Sequence, residues 1–272
     1  MLADAVQLLR CPVCGAGLSL AGGAVRCPQG HSFDVARQGY VNLVPARGAV
    51  DTAEMVGARE AFLAAGHFAP LTEALTGEAR ATPAGCAIDV GAGPGHHLAR
   101  VLDAQPGRVG LALDSSPAAL RRAARAHPRM AAVGCDAWRP LPVRDGVAAV
   151  VLSVFAPRRG DELARVLAPD GAAVVVTPRP RHLAELVEAL GLLSVPGGKD
   201  ERLRDALLPL APVSSRPLEF RLSLPRAAAA ALVRMGPSAW HVDDATVAER
   251  LAALPDPVAV TVSVTVSRYT AA

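Results

Sequence analysis

The stretch Ala87-Ile88-Asp89-Val90-Gly91-Ala92-Gly93-Pro94-Gly95 decides the fold. Cys86–Val90 is a short apolar run that reads as a strand, and the glycines after it as the turn into a helix over Pro94–Ala104. Glycines at such a turn let the backbone reverse tightly and approach a ligand at the carboxyl edge of a sheet. The same alternation continues downstream. Strands are predicted at Val109–Leu113, Met130–Gly134, Val147–Phe155 and Ala172–Thr177, with helices at Pro117–Ala126 and Asp161–Leu167 between them. Short buried strands joined by crossover helices predict an α/β fold with a parallel, doubly wound sheet. Beyond it the pattern gives helices near His182–Leu190 and Asp200–Leu208, a strand at Leu218–Leu224, helices at Arg226–Met235 and Asp244–Leu254, and a terminal strand at Val258–Val266. Upstream, Asp51-Thr-Ala-Glu54 has the form of a capping box and opens a helix through Ala65; a second helix starts near Pro70. Phe33–Val50 reads as a connector broken by Pro45 and Gly48.

The glycine turn admits two nucleotide readings. A dinucleotide fingerprint needs Gly-x-Gly-x-x-Gly, and its third glycine falls here on His96. Gly91-x-Gly93-x-Gly95 behind the acidic Asp89 suits S-adenosylmethionine better, because that ligand has no pyrophosphate for a helix N-terminus to hold. Asp114, just past the second strand, is placed to accept both ribose hydroxyls. Asp136, past the third, can accept from an adenine amine. The alternative for Asp114 and Asp136 is helix capping. His96 and His97 open the cofactor helix and are expected to line the same pocket. The candidate cofactor-binding set is therefore Asp89, Gly91, Gly93, Gly95, His96, His97, Asp114 and Asp136.

Toward the N-terminus, Cys11-Pro-Val-Cys14 and Cys27-Pro-Gln-Gly-His31 are two short turns offering two ligands each. A glycine-rich arm carrying Leu18, Leu20 and Val25 joins them. This is the layout of a small zinc ribbon, with Zn2+ held by Cys11, Cys14, Cys27 and His31. So short a segment cannot build a core alone, and metal ligation supplies its folding energy. The alternative is reduced structural cysteines beside an unrelated histidine. Cys86 and Cys135 read as inert core thiols.

Composition sets the outer bounds. The chain has 272 residues, 51% of them hydrophobic and 19% charged, which excludes a disordered chain. Its net charge of +3 is too small to announce a nucleic-acid binder. The longest apolar run, Val147–Ala156, is half of what a membrane span of about 20 residues needs. The first residues lack a secretory core, so a cytoplasmic protein with reduced thiols is expected.

Several stretches together resemble the bacterial 23S rRNA (guanine-N1)-methyltransferases, in particular their macrolide-resistance branch. They are CPVCG and CPQGHSFDVARQGYVNLV, DTAEMVGAREAFLAAGHF, DVGAGPGHH, SVFAP, TPRPRHLAEL and RMGPSAWH. The resemblance runs over essentially the whole length and departs at Arg158–Arg159. It implies a class I (Rossmann-like) methyltransferase sheet with a small N-terminal zinc ribbon. It divides the chain into a ribbon over 1–35, a linker with helices over 36–84 and a methyltransferase domain over 85–272. It further implies a homodimer whose ribbons help to grip a 23S rRNA hairpin, and methylation at guanine N1, with tolerance of tylosin-type macrolides as a consequence. In that frame Ser153–Pro157 is the loop facing the target base. Phe155 either stacks on an extruded guanine or packs as a core residue, Pro157 shapes the loop, and no residue stands out as general base. RNA-contact candidates are Arg37, Arg47, Arg158, Arg159, Arg179 and Arg181, with a solvated surface arginine as the alternative for each; Trp240 reads either as an RNA contact or as an anchor of the C-terminal helices. His67, His127, His182 and His241 read as surface or core histidines. Two other functions fit the same elements: a small-molecule methyltransferase, and a non-catalytic RNA-binding module.

Overall fold

The computed structural model describes residues 2–44, 50–192, 199–236 and 242–271, with backbone only over 199–202. Arg47, Trp240 and His241, together with Pro45 and Gly48, lie outside the described residues. The chain begins with α1 (Leu2–Ala5), a 3-10 turn at Val6–Leu8, and a three-stranded antiparallel ribbon of β1 (Ser19–Ala21), β2 (Ala24–Arg26) and β3 (Ser32–Asp34). Gly22 and Gly23 both take positive φ and make the two-residue turn between β1 and β2, the geometry that matches strand twist in a hairpin.

The main sheet has eight strands. In chain order they are β4 (Val41–Asn42), β5 (Cys86–Val90), β6 (Gly110–Asp114), β7 (Met130–Gly134), β8 (Ala148–Val154), β9 (Leu167–Pro178), β10 (Ala211–Leu224) and β11 (Val258–Thr270). Across the sheet the order is β10-β11-β9-β8-β5-β6-β7-β4. The strands from β9 to β4 run parallel, and β11 and β10 join antiparallel at one edge. β5 and β7 are buried at every position, as strands covered on both faces must be.

The helices are α2 (Ala53–Ala64), α3 (Ala69–Arg80), α4 (His96–Asp103), α5 (Pro117–Ala126), α6 (Gly160–Val166), α7 (Ala184–Leu190), α8 (Lys199–Leu207), α9 (Arg226–Arg234) and α10 (Asp244–Ala252). No helix among the described residues is long and apolar enough to cross a membrane.

Three details depart from the sequence reading. The 33–50 segment is not a plain connector: Val41 and Asn42 extend the sheet edge beside β7, and the N–H groups of Leu43 and Val44 both reach Gly134 O at 3.0 Å. A two-residue strand shows no periodicity to read. Helix α2 is capped by Thr52, whose hydroxyl accepts from Met55 N–H at 3.2 Å, one residue later than expected. Asp51 instead pairs with Arg59 at 2.6 Å. Helix α4 starts at His96 rather than Pro94, because Gly95 sits at φ 81 and cannot be helical.

Ribbon and sheet share a buried cluster. Leu9, Cys11, Leu18, Val25 and Cys27 pack together with Val41, Leu43, Ile88, Val133 and Val143. A backbone bridge joins Leu9 to Val143, and Arg144 N–H donates to Leu8 O at 2.9 Å. The carboxyl ends of β5, β6, β7 and β8 lie side by side, and the loops leaving them build the site.

Candidate functional site

Two tight turns bring the four ribbon ligands together. Gly15 N–H to Cys11 O at 2.9 Å closes the first, and Gly30 N–H to Cys27 O at 3.1 Å closes the second. The ligand atoms of Cys11, Cys14, Cys27 and His31 all lie within 4.8 Å of one another. Cys14 Sγ is 3.7 Å from Cys27 Sγ; His31 Nδ1 is 3.6 Å from Cys11 Sγ and 3.3 Å from Cys27 Sγ. A tetrahedral zinc with Zn–S bonds of about 2.3 Å has edges of about 3.8 Å, so these atoms fit that metal. Burial opposes ionisation of Cys27, but hydrogen bonds from the backbone and ring of His31 outweigh it and bring the thiol to about 6. The thiolate is the form that ligates.

At the sheet edge the glycine turn is locked to its neighbour. Gly91 and Ala92 donate to Leu113 O at 2.8 and 3.0 Å, and Gly95 donates to Ala92 O at 2.9 Å. Gly93 N–H donates to Asp114 Oδ2 at 2.8 Å. These N–H groups are spent inside the protein, so none of them is left for a pyrophosphate, which disfavours the dinucleotide reading. A Cβ at Gly91 would lie 2.5 Å from the Ala156 Cβ. Glycine there lets the cofactor turn and the Ser153–Pro157 loop meet.

A cavity of about 230 Å³ opens beside this turn. Gly91, Asp114, Asp136 and Pro157 line it, joined by Val50, Ser115 and Trp138. Asp114 does not cap α5. Its Oδ1 accepts from Ser116 N–H at 2.8 Å, and the cap of α5 is Ser116 itself. Asp136 Oδ1 accepts from Trp138 N–H at 2.9 Å in a local turn. Burial raises the pKa of Asp114 against the pull of the Ser116 and Gly93 N–H groups. Behind it, burial and then repulsion from Asp114 push Asp89 up to about 7. Asp89 Oδ1 is buried without a hydrogen-bond partner. A desolvated pair of carboxylates with an orphaned oxygen fits a cationic ligand that carries N–H and hydroxyl donors. S-adenosylmethionine has that chemistry.

His96 and His97 are placed differently. Neither is among the residues lining the cavity. His97 is buried against α3, with Nδ1 3.0 Å from Thr72 Oγ1, and burial drives its pKa down to about 3. His96 packs edge-on against it.

The loop after β8 presents Phe155 to solvent at 40% exposure, in a left-handed backbone conformation with φ 54. The core-packing alternative for Phe155 is thereby excluded. Its ring lies 5.4 Å from that of His182, which the sequence pattern had not tied to any site. Trp138, 66% exposed, was equally unmarked. Of the arginine candidates, Arg158 folds back onto Ala156 O at 3.1 Å, Arg159 pairs with Asp161, and Arg181 pairs with Glu219 at 3.2 Å. Arg37 is exposed and Arg179 partly so.

Comparison with known proteins matches both halves. The sequence model of the RlmA N-terminal zinc ribbon matches residues 9–48. The 23S rRNA (guanine(748)-N(1))-methyltransferase of Streptomyces fradiae is 51% identical, over 97% of each chain. A Micromonospora griseorubida protein, 52% identical over 98% of each, carries a provisional name for guanine-N1 methylation of 23S rRNA. Among solved structures, a chain of the complex between the Haloferax volcanii Trm112 methyltransferase activator and a methyltransferase superposes with a TM-score of 0.52. That match is 20% identical and covers 82% of this chain and 99% of that one, so it speaks for the sheet architecture alone.

Proposed function

The chain belongs to the 23S rRNA (guanine-N1)-methyltransferase family, and on that footing we propose that it methylates N1 of one guanine in a hairpin loop of 23S rRNA. The observation that carries the reading is the near full-length identity to the Streptomyces fradiae enzyme, joined to an intact ligand set in both the ribbon and the cofactor loop. S-adenosylmethionine, when bound, supplies an electrophilic methyl group on a sulfonium, whose S–C bond breaks as the N1–C bond forms.

The residues divide the work. Asp114 would hold the ribose hydroxyls and Asp136 the adenine amine. Asp89 would receive the ammonium end, and Gly91, Gly93 and Gly95 leave the room, with His96 and His97 fixing the helix behind them. Phe155 offers its exposed face to an extruded base, since a base must leave its stack to be reached. Pro157 stiffens the loop between base and cofactor. Holding both in line supplies much of the acceleration. The loop Ser153–Pro157 carries no acid or base of its own to take the N1 proton. Cys11, Cys14, Cys27 and His31 would hold a structural zinc.

The finer organisation is part of the same proposal: a ribbon over 1–35, linker helices over 36–84 and a catalytic domain over 85–272, paired as a cytoplasmic homodimer whose ribbons flank the RNA. Arg37, which is exposed, and Arg179, which is half-buried, are candidates to meet phosphates. Methylation would lower tylosin sensitivity. Primer extension tests the substrate, because N1 methylation blocks Watson–Crick pairing and stops reverse transcriptase. RNA from cells expressing the protein should show a new stop in one hairpin loop. Absence of that stop refutes the substrate; a stop without altered tylosin tolerance refutes only the resistance role.

A further inference from the structure

We infer that the seam between the zinc ribbon and the sheet is a second nucleotide site, which takes a base next to the target guanine and holds its phosphate on Arg139 and Arg10. The inference rests on the 23S rRNA reading above and adds to it a named place for a second nucleotide. A cavity of about 490 Å³ opens at this seam, against about 230 Å³ beside the cofactor turn. One wall is the first metal turn, through Arg10, Pro12 and Val13, and the other is the loop after β7, through Arg139 and Pro140. Leu43 and Leu141, both buried, line it between them.

The lining selects the ligand. Small-ligand pockets of this size have mostly apolar walls and a few placed polar groups. Here the two arginines that line the cavity are both cationic, and the rest of its named wall is proline, valine and leucine. A bare phosphate would leave that apolar surface unused. A purely apolar ligand would strip water from two guanidinium groups and give them no partner. A base with its phosphate satisfies both: the flat ring covers proline, valine or the plane of Arg139, and the phosphate meets the guanidinium groups. Val13 is 65% exposed on the metal turn, apolar surface that a base would cover.

Both walls are held in place. Arg10 N–H donates to Pro142 O at 3.1 Å, and Arg10 Nη1 donates to Asp145 Oδ1 at 3.3 Å, where Arg165 also donates at 2.5 Å. The pair with Asp145 uses one of the five N–H donors of a guanidinium. Leu141 N–H donates to Glu162 Oε2 at 2.6 Å, and Arg139 N–H to Asp136 O at 3.0 Å. The last bond joins the seam to the cofactor site. Asp136, Ala137 and Trp138 line the cofactor cavity, and Arg139, Pro140 and Leu141 line the seam cavity. Consecutive Cα atoms are about 3.8 Å apart, so the two cavities share this loop as a common wall. A strand that presents its guanine to the cofactor therefore brings a neighbouring nucleotide to the seam. The metal turn then fixes the register of the strand, and with it which guanine of the loop is reached.

Binding of a synthetic copy of the hairpin that gains the primer-extension stop, to zinc-loaded protein with adenosylhomocysteine, tests this. Arg139→Ala should weaken the hairpin and lower the slope of its affinity against salt by about 1, and Arg139→Lys should restore that slope. Hairpins made abasic at one loop position at a time then locate the base. In the wild type, loss of one base beside the target guanine should cost about tenfold in affinity. In Val13→Glu, which sets a carboxylate into the seam, the same loss should cost little, because the two changes act on one contact. Zinc content and adenosylhomocysteine affinity should be the same in every variant. The inference is overturned if Arg139→Ala keeps the wild-type affinity and salt slope, or if every abasic loss is as large in Val13→Glu as in the wild type. It is equally overturned if the variants lose zinc or adenosylhomocysteine, which would make the role structural. Val13→Glu turning a dimer into monomers would also overturn it, since the seam would then be an interface between copies. Wild-type protein that leaves 23S rRNA without N1-methylguanine overturns the functional reading itself, which separates the two failures.

Discussion

The ribbon and the sheet are held together by different means. Every strand of the ribbon is three residues long, and β1 is exposed throughout. In the sheet, β5 and β7 bury every position. Three short strands cannot offset the entropy of ordering a chain of about thirty-five residues, whereas eight strands covered by helices can. The four ligands therefore do for the ribbon what valine and leucine do for the sheet. The division is not clean, because Leu9, Leu18 and Val25 of the ribbon finish one buried cluster with Ile88, Val133 and Val143 of the sheet. The metal fixes the turns, and the shared apolar seam fixes how the ribbon is mounted.

Removing the metal should separate the two regions most sharply. Structural zinc contributes on the order of 10–16 kcal/mol to small metal-dependent folds. Chelation, or Cys14→Ser, should abolish bound zinc and strip amide protection from the ribbon. The sheet should stay folded and bind adenosylhomocysteine, with a lower melting temperature because the seam opens. Metal analysis and hydrogen exchange check this. A single transition that takes ribbon and sheet together would show that the seam, and not the metal, dominates.

A second contrast is electrostatic. The sheet buries Asp89, pushed from 3.8 to about 7 by burial and by Asp114, whereas the ribbon's Asp34 is exposed. Between those two pH values the native state keeps a proton that the unfolded chain has released. The stability linked to Asp89 is thus full below about pH 4 and is lost as pH rises through about 7. A shift of that size corresponds to roughly 4 kcal/mol. Melting curves of the ligand-free protein across this window should fall steadily in the wild type and flatten in Asp89→Asn. Parallel curves for the two proteins would contradict the assignment.

Asp114→Ala tests the site with a smaller effect. Losing a charge-assisted pair to the ribose should weaken adenosylhomocysteine by about 2–3 kcal/mol, leaving zinc content as it was. Calorimetry showing equal affinity would remove Asp114 from the site.

What the sequence disclosed follows the same division. The ribbon ligands were legible because metal geometry imposes spacing, and Cys11, Cys14, Cys27 and His31 do converge. The sheet was legible because buried parallel strands are continuous apolar runs. Asp114 and Asp136 stand out in the sequence because each follows a strand, and both line one cavity. β4 was not, since two residues carry no period, and its place beside β7 depends on contacts far along the chain. His96 and His97 follow the glycine turn directly in sequence, yet neither lines the cavity, and His97 turns onto Thr72 of α3. His182 and Trp138 left no pattern, because their relevance comes from loops that meet only in the folded chain.

Gly15 in the ribbon and Gly91 in the sheet offer the finest test, since both sit at φ 75. The backbone strain of an alanine is then the same at the two places, about 1–2 kcal/mol for a left-handed L-residue. Their surroundings differ. Nothing lies within 4 Å of a Cβ built at Gly15, whereas one at Gly91 meets the Ala156 Cβ at 2.5 Å. Gly15→Ala should therefore cost the strain alone, and zinc affinity should fall by about fivefold to thirtyfold while the protein still loads. Gly91→Ala carries the same strain and must also push the Ser153–Pro157 loop away from the cofactor turn, so overpacking of about 1–3 kcal/mol adds to it. Its damage should appear in adenosylhomocysteine affinity, with zinc binding untouched. Competition with a chromophoric chelator measures the first and calorimetry the second. Equal losses at the two glycines would mean that the contact with Ala156 does not shape the site. A larger loss at Gly91 would show that close packing at the turn, beyond its backbone angle, is what demands glycine there.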